Sequence, residues 1–329
     1  MNDSLFQLIT DFQASVESAV KLMQRSGIRM PSSRAAWINA DIPHSGDLDG
    51  GGKYYKHGVG CWVCLNTGNV DFDFGEQGEI GGFNLWWLTQ FAGERLVDYG
   101  FSCEDELEAC LDTALASGAL IYPDSDLYYI AGVPRIYAID IDCRLPDDML
   151  PGRNQDRVFV LQSHYFQTAE LMFENYEKLS RKWDKTHYLS QREAVDRRIY
   201  LSTWLGFLGV TCEGFKKLKM RLLLEKERPE SFNELIPLSD NIGRLMKRNA
   251  DSLREFRNNV FHLRENPEVV RQFFDRNSER LPWARELHAA LVNFFSAYRV
   301  MCEVHYVMHG RKSESDLRRK RVNRKRSTS

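Results

Sequence analysis

The stretch "LREFRNNVFHL", residues 253–263, reads as one turn after another of an amphipathic helix. At 100° per residue, Leu253, Phe256, Val260 and Leu263 fall within about 80° of one another and form an apolar stripe. Asn258 and His262 are four apart and lie roughly opposite that stripe, while Arg257 flanks it beside Phe261. A histidine so placed faces solvent, a partner chain or a cleft rather than the core. The same helical period runs through the whole back half. After residue 156 the strand signals vanish, and helices are expected near 157–183, 190–226, 238–264 and 282–309. Asn266 and Pro267 in "ENPEVV" suit the cap and first position of a short additional helix. The back half should therefore be an all-α bundle of four to five helices, its second helix apolar enough to lie deep inside.

The front half reads differently. "LFQLITDFQASVESAVKLMQ" has apolar residues at helical spacing, and "GCWVCLNTGNVDFDFG" reads as two strands joined by a turn at Asn66 to Asn69. "FNLWWLTQFAGERL" and "EDELEACLDTALAS" read as helices, and "ALIYPDSDLYYI" as a hairpin with a Pro-Asp turn. Mixed signals of this kind indicate an α+β domain over residues 1–150. "CRLPDDMLPGRNQD", 143–156, has the prolines, glycine and polar residues of a linker, and the bundle follows over 157–309. The remainder, 310–329, lacks an apolar stripe and is expected to be a disordered basic tail.

Composition narrows the class of protein. A hydrophobic fraction of 43% with 12% aromatics can build real cores. The longest apolar run, "IYLSTWLGFLGVTC", is too short to span a bilayer, so no membrane is expected. The start "MNDSLFQLITDF" carries acids where an export signal carries Lys or Arg. Seven cysteines, an odd number, then point to reduced thiols in a cytoplasmic protein. Residues 1–156 hold 10 Lys/Arg and 24 Asp/Glu, a net of −14. Residues 157–309 hold 25 and 20, and residues 310–329 hold 9 and 2. Any nucleic-acid contact thus belongs to the back half, and the tail could add phosphate contacts.

"RNNVFH", 257–262, fits the Arg-Asn-x-x-x-His pattern of the HEPN superfamily, helical bundles that include many metal-independent ribonucleases. "LSTWLGFLGVTCEGFKKL" resembles the second bundle helix of certain bacterial members, "LREFRNNVFHLREN" the third and "LPWARELHAALVNFF" the fourth. The likeness covers about residues 157–309. It implies an endoribonuclease of bacterial toxin or antiphage-defence type, a hydrolase working as a homodimer without metal or cofactor. RNA would be the substrate, and an antitoxin or trigger protein a further partner. The residues suit that chemistry. Attack of a 2′-OH on the adjacent phosphate needs a base, an acid and charge stabilisation. His262 can serve as base or acid because an ordinary imidazole titrates near neutral pH, Arg257 offers a planar fork for phosphoryl oxygens, and Asn258 can orient imidazole or phosphate. Arg257 and His262 lie about 140° apart on a straight helix. They converge only if the last turn unwinds or a second copy completes the site. A plainer reading pairs Arg257 with Glu255 or Asp251 and leaves His262 as a cap at a helix end. In that case the bundle is a non-catalytic binding module of immunity or antitoxin type.

Other constellations are weaker. Glu213, the single charge between Ile199 and Phe215, could support Arg257, or could pair with Lys216 and Lys217 three and four residues on. Cys61 and Cys64 of "CWVC" have zinc-like spacing, but strand alternation sends them to opposite faces and no second pair accompanies them. Asp71 and Asp73 of "DFDFG" share a strand face, where they could bind a cation but equally follow from a half-buried strand, and "SGDLDGGG" is not followed by the Gly-Lys-Ser/Thr of a phosphate-binding loop. Residues 25–100, with His-Gly-x-Gly-Cys and Asp-x-Asp-Phe-Gly, resemble a small bacterial domain of unassigned function. His57 and the aspartates there fix turns or line a ligand site, so this domain is read as regulatory or sensor-like. His305 and His309 read as a surface pair on the last helix.

Overall fold

The computed structural model describes residues 1–122, 126–261, 268, 271, 275 and 279–317. The chain divides into two compact units, one of Met1–Leu145 with the described residues from His305, the other of Pro146–Val304. The first unit is a small antiparallel sheet with helices and the second is helical. No helix among the described residues is long and apolar enough to cross a membrane.

In the first unit α1 (Asp3–Arg25) is capped by Asn2 and buries Leu5, Leu8, Phe12, Val16, Ala19 and Met23 along one face. A short α2 (Arg34–Ile38) leads into a four-stranded meander: β1 (Ser45–Asp47), β2 (Lys53–His57), β3 (Gly60–Leu65) and β4 (Gly68–Asp73). The expected hairpin is present, with Leu65 opposite Gly68 across a two-residue turn at Asn66 and Thr67. Cys61, Val63, Val70 and Phe72 point into the core shared with α1, and the alternate residues, Trp62, Cys64 and Asp71, point away from it. The strands β1 and β2 were not legible beforehand. β1 holds no apolar residue, and Lys56 interrupts the alternation of β2, yet it is buried, its Nζ donating to Ala40 O (3.0 Å) over the Trp37 ring. The unit continues through β5 (Glu79–Ile80), α3 (Leu85–Ala92), α4 (Glu104–Ala116), β6 (Leu120–Ile121), β7 (Tyr129–Ile130) and β8 (Ile136–Tyr137). β6 and β7 pair antiparallel as expected, while their Pro-Asp turn lies outside the described residues.

The segment expected to be disordered from residue 310 starts as a packed strap of this unit. Gly310 turns the chain at φ 69°, and Arg311 is fully buried. Its Nε and Nη2 donate to Glu314 (2.7 and 2.8 Å) while its guanidinium covers Tyr306. Ser313 N–H donates to Gln24 O, and Asp316 pairs with Arg29. Polar composition misled the reading, because the strap is held by charge pairs and backbone bonds rather than by an apolar stripe. Residues 318–329 lie outside the described residues.

In the second unit α5 (Arg157–Leu161) passes through a wide turn into α6 (Gln167–Thr186). α7 (Gln191–Lys217) starts at a capping box of Ser190 and Glu193. The helix expected over 190–226 is in fact two, because Lys219 adopts φ 49° and starts α8 (Met220–Lys226), which turns Leu223 and Leu224 into the core. α9 (Ile236–Phe261) breaks at Asn249, whose φ of −147° leaves the helical range. There the Leu245 carbonyl accepts a hydrogen bond from Trp283 Nε1 (2.8 Å), a side-chain donor at a kink. α10 (Arg280–Met308) completes the set, its last residues belonging to the first unit. Asn266 and Pro267 lie outside the described residues.

His288 of α10 sits among Phe166, Phe173 and Trp204 and accepts from Trp204 Nε1 (3.2 Å) at Nδ1. Burial pushes its pKa down to about 4. The unfolded chain therefore binds one more proton than the folded one between about pH 6.5 and 4, so stability present at pH 7 is lost as pH falls through that window. His288→Gln keeps an acceptor for Trp204 and does not titrate. It should reduce the pH dependence of unfolding between pH 6.5 and 4 by up to about 1.4 kcal/mol per pH unit. Equal slopes for the two proteins in denaturant melts would refute the buried neutral histidine.

Candidate functional site

The seam between α7 and α9 is built on glycines. A Cβ on Gly206 would meet the Phe261 ring at 2.6 Å, and one on Gly209 would touch Arg257 Cβ and Leu253 at 3.5 Å. Gly206, Gly209 and Glu213 share one face of α7, and Leu253, Arg257 and Phe261 share one face of α9. The helices run antiparallel there, so Phe261 covers Gly206 and Phe207 while Arg257 reaches Glu213. Without side chains on those glycines, the Arg257 backbone comes close enough for its guanidinium to lie along α7 rather than in solvent. The Arg257 side chain is 19% exposed and Glu213 46%.

The guanidinium is divided between two partners. Nη1 donates to the Glu213 carboxylate, and Nε and Nη2 both donate to Asn258 Oδ1 (3.2 and 2.6 Å). Neither plainer pairing occurs: Glu213 binds Arg257 rather than Lys216 or Lys217, and Asp251 pairs with Arg254 (3.4 Å). Asn258 turns toward Arg257, although the wheel put it on the opposite face. Its short amide can bend along the helix surface to the fork of the preceding residue. Asn259, not singled out in the sequence, donates to Glu255 O while its own Oδ1 is buried with no partner among the described residues. His262 lies outside the described residues, and α9 is described as far as Phe261. The structure thus brings together Arg257, Asn258 and Glu213 of the expected set.

A carboxylate and a neutral amide are unequal competitors for an incoming anion. The Nε–Nη2 edge is the one that presents two parallel N–H groups to a phosphate, and here it is occupied only by an amide oxygen. Glu213 holds the other end of the guanidinium and so orients the edge that Asn258 covers.

A second cluster lies in the first unit. His57 Nε2 and Asp71 Oδ1 are 2.6 Å apart, and the hydrogen bond to Asp71 raises the His57 pKa. The Asp73 carboxyl is also raised, chiefly by burial, and its Oδ1 has no partner among the described residues. A Cβ at Gly60 would run into Phe72 O, Asp73 and the His57 ring, so glycine is required for the strands to close over this corner. The motifs His-Gly-x-Gly-Cys and Asp-x-Asp-Phe-Gly therefore converge in space. Cys61, on the opposite face, has its thiol pushed up to about 12 by burial. His305 and His309 stack at 3.8 Å, but His305 is buried and His309 Nδ1 donates to its carbonyl, so they are not a surface pair. Among the described residues no group of three His, Cys, Asp or Glu side chains is arranged to hold a metal ion.

Residues 5–130 match a family model described as a domain of unknown function (DUF6896), which covers less than half of the chain. No curated protein and no solved structure matches the chain.

Proposed function

We propose that the second unit is a HEPN-like endoribonuclease of bacterial defence or toxin type, cleaving RNA by 2′-OH attack without a metal ion. The observation that carries this reading is the Arg257 fork. It is anchored by Glu213 at one end, and only a neutral amide covers the edge that binds phosphate. In this reading Arg257 stabilises the phosphorane charge, Asn258 yields the fork and orients phosphate or imidazole, and Glu213 is a positioning residue. His262, five positions beyond Arg257, serves as base or acid, contributed by the same chain or by the second copy in a homodimer. The competing reading, a non-catalytic binding module, draws on the same pairing, since an arginine fully partnered within its own chain can be purely structural.

Incubating total tRNA and a test transcript with the full chain in EDTA distinguishes the two. Cleavage leaving cyclic-phosphate ends is expected, with His262→Ala slower by about 10²–10⁴-fold, the range of one proton-transfer group. A wild-type protein that leaves both RNAs intact would favour the binding module. The acidic first unit is regulatory in this proposal. Because Arg311 packs into it, point variants are a cleaner probe of that role than removal of residues 1–150.

A further inference from the structure

A groove of about 1100 Å³ lies between the end of α7, α8 and the first part of α9, away from the Arg257 fork but sharing α9 with it. Its apolar lining includes Phe215, Pro237 and Met246. Its rim carries Lys216, Lys219, Arg244 and Lys247, all exposed and none with a carboxylate partner among the described residues. Arg221, also at the rim, is occupied by Glu225 (2.9 Å) and Asp240 (2.6 Å). The unpaired cations are therefore a subset that the fold leaves free, while neighbouring charges are neutralised.

Two local departures from helical preference fall on this groove. Lys219 holds a left-handed conformation, at φ 49°, that L-residues other than Asn, Asp and Gly avoid. It places a lysine at the mouth where α7 gives way to α8. Gly243 sits inside α9, where alanine would favour the helix, and a Cβ there would meet nothing within 4 Å. Packing does not require that glycine; its effect is to leave the wall bare where the groove is lined.

The volume exceeds what one drug-sized molecule fills, and the lining mixes apolar side chains with cations from α7, α8 and α9, its carboxylates Asp240 and Asp251 being paired with Arg221 and Arg254. That combination suits a polyanion with flat apolar groups between its charges, which is a single-stranded nucleic acid. Lys216 lies three residues beyond Glu213 on α7, and Lys247 lies ten residues before Arg257 on α9, roughly 15 Å along the helix. We propose that this groove holds the phosphate backbone and bases of single-stranded RNA a few nucleotides from the Arg257 fork. The identity of the polymer rests on the ribonuclease reading; the groove's affinity for it does not.

The test uses the full wild-type chain and a fluorescent 15-nucleotide 2′-O-methyl RNA, whose blocked 2′-oxygens cannot attack the phosphate. Gly243→Glu, which inserts a carboxylate into open space, should weaken binding at least tenfold. The triple variant Lys219→Ala/Arg244→Ala/Lys247→Ala should lower the slope of log affinity against log salt by about 2, at roughly 0.7 per phosphate contact. Lys185→Ala, at an exposed position near the end of α6, should bind as wild type. Wild-type affinity in both groove variants, with thermal melts unchanged, would overturn the proposal, as would equal displacement by a poly-glutamate of the same charge. Full binding through the groove without cleavage of unmodified RNA would sink the nuclease reading alone. Cleavage with undiminished kcat/KM in Gly243→Glu would sink the groove alone.

Discussion

Asp156→Ala is expected to destabilise the second unit by about 3–5 kcal/mol, the cost of removing one partner from a buried pair. Asp156 is fully buried at the start of α5, where its Oδ1 accepts from Val158 N (2.8 Å) and caps the helix. The same carboxylate accepts from Arg228 Nη2 (2.9 Å) and from the Tyr298 hydroxyl (2.6 Å), and Arg228 Nε donates to that hydroxyl (2.7 Å). Burial and the adjacent carboxylate raise the Tyr298 pKa, so the phenol remains a donor across the accessible pH range. Removing Asp156 leaves a guanidinium whose side chain is 3% exposed with the Tyr298 hydroxyl and the Glu227 carbonyl but no counter-charge. The loss corresponds to a fall of roughly 6–20 °C in the melting of a unit this size. Arg157→Ala, one residue away, breaks a pair with Glu227 that is more than half exposed on both sides. That variant should shift stability by less than about 1 kcal/mol. Thermal melts of both variants make the comparison, and similar shifts would mean the buried network contributes no more than a surface pair.

Arg257→Lys should lower kcat/KM for RNA cleavage by about 10²–10³-fold, the scale of losing a preorganised charge-stabilising donor. The substitution keeps the positive charge but replaces a planar fork by a point donor. An ammonium can reach Glu213 or the phosphate, whereas the guanidinium reaches Glu213 through Nη1 and presents Nε and Nη2 on another edge. Glu213→Gln should have a smaller effect of the same kind, because it loosens the anchor without touching the substrate-facing edge. Single-turnover cleavage with enzyme in excess, followed from sub-saturating to saturating enzyme, reads kcat/KM and the chemical step for both variants. A fully active Arg257→Lys would show that charge, not the fork, is what the site uses, and would remove the observation on which the proposed function stands.

Periodicity alone marked most long helices and the β3–β4 hairpin. Each buries one face against a single neighbouring layer, and such faces leave a regular trace in the chain. Where the regularity is broken by chemistry, the trace is lost. Lys56 in a buried strand and Arg311 in a polar strap look like surface residues until their carbonyl, carboxylate and ring partners are known. The break at Lys219 and the kink at Asn249 are likewise silent, because both depend on what α8 and Trp283 find to pack against.

The candidate site divides the same way. By itself the sequence determined that Arg257 and Asn258 lie on one helix, since the apolar stripe around them recurs at helical spacing. Only the tertiary structure decided that Glu213, 44 residues upstream, is the partner of Arg257. It also decided that Asn258 bends to the same guanidinium, and that His57 meets Asp71. The physical reason is that periodicity specifies direction around one element, whereas a hydrogen bond between elements depends on how closely two backbones approach. Here that approach is set by glycines, Gly206 and Gly209 on α7 and Gly60 on β3, whose role is visible only when the facing side chains are in place.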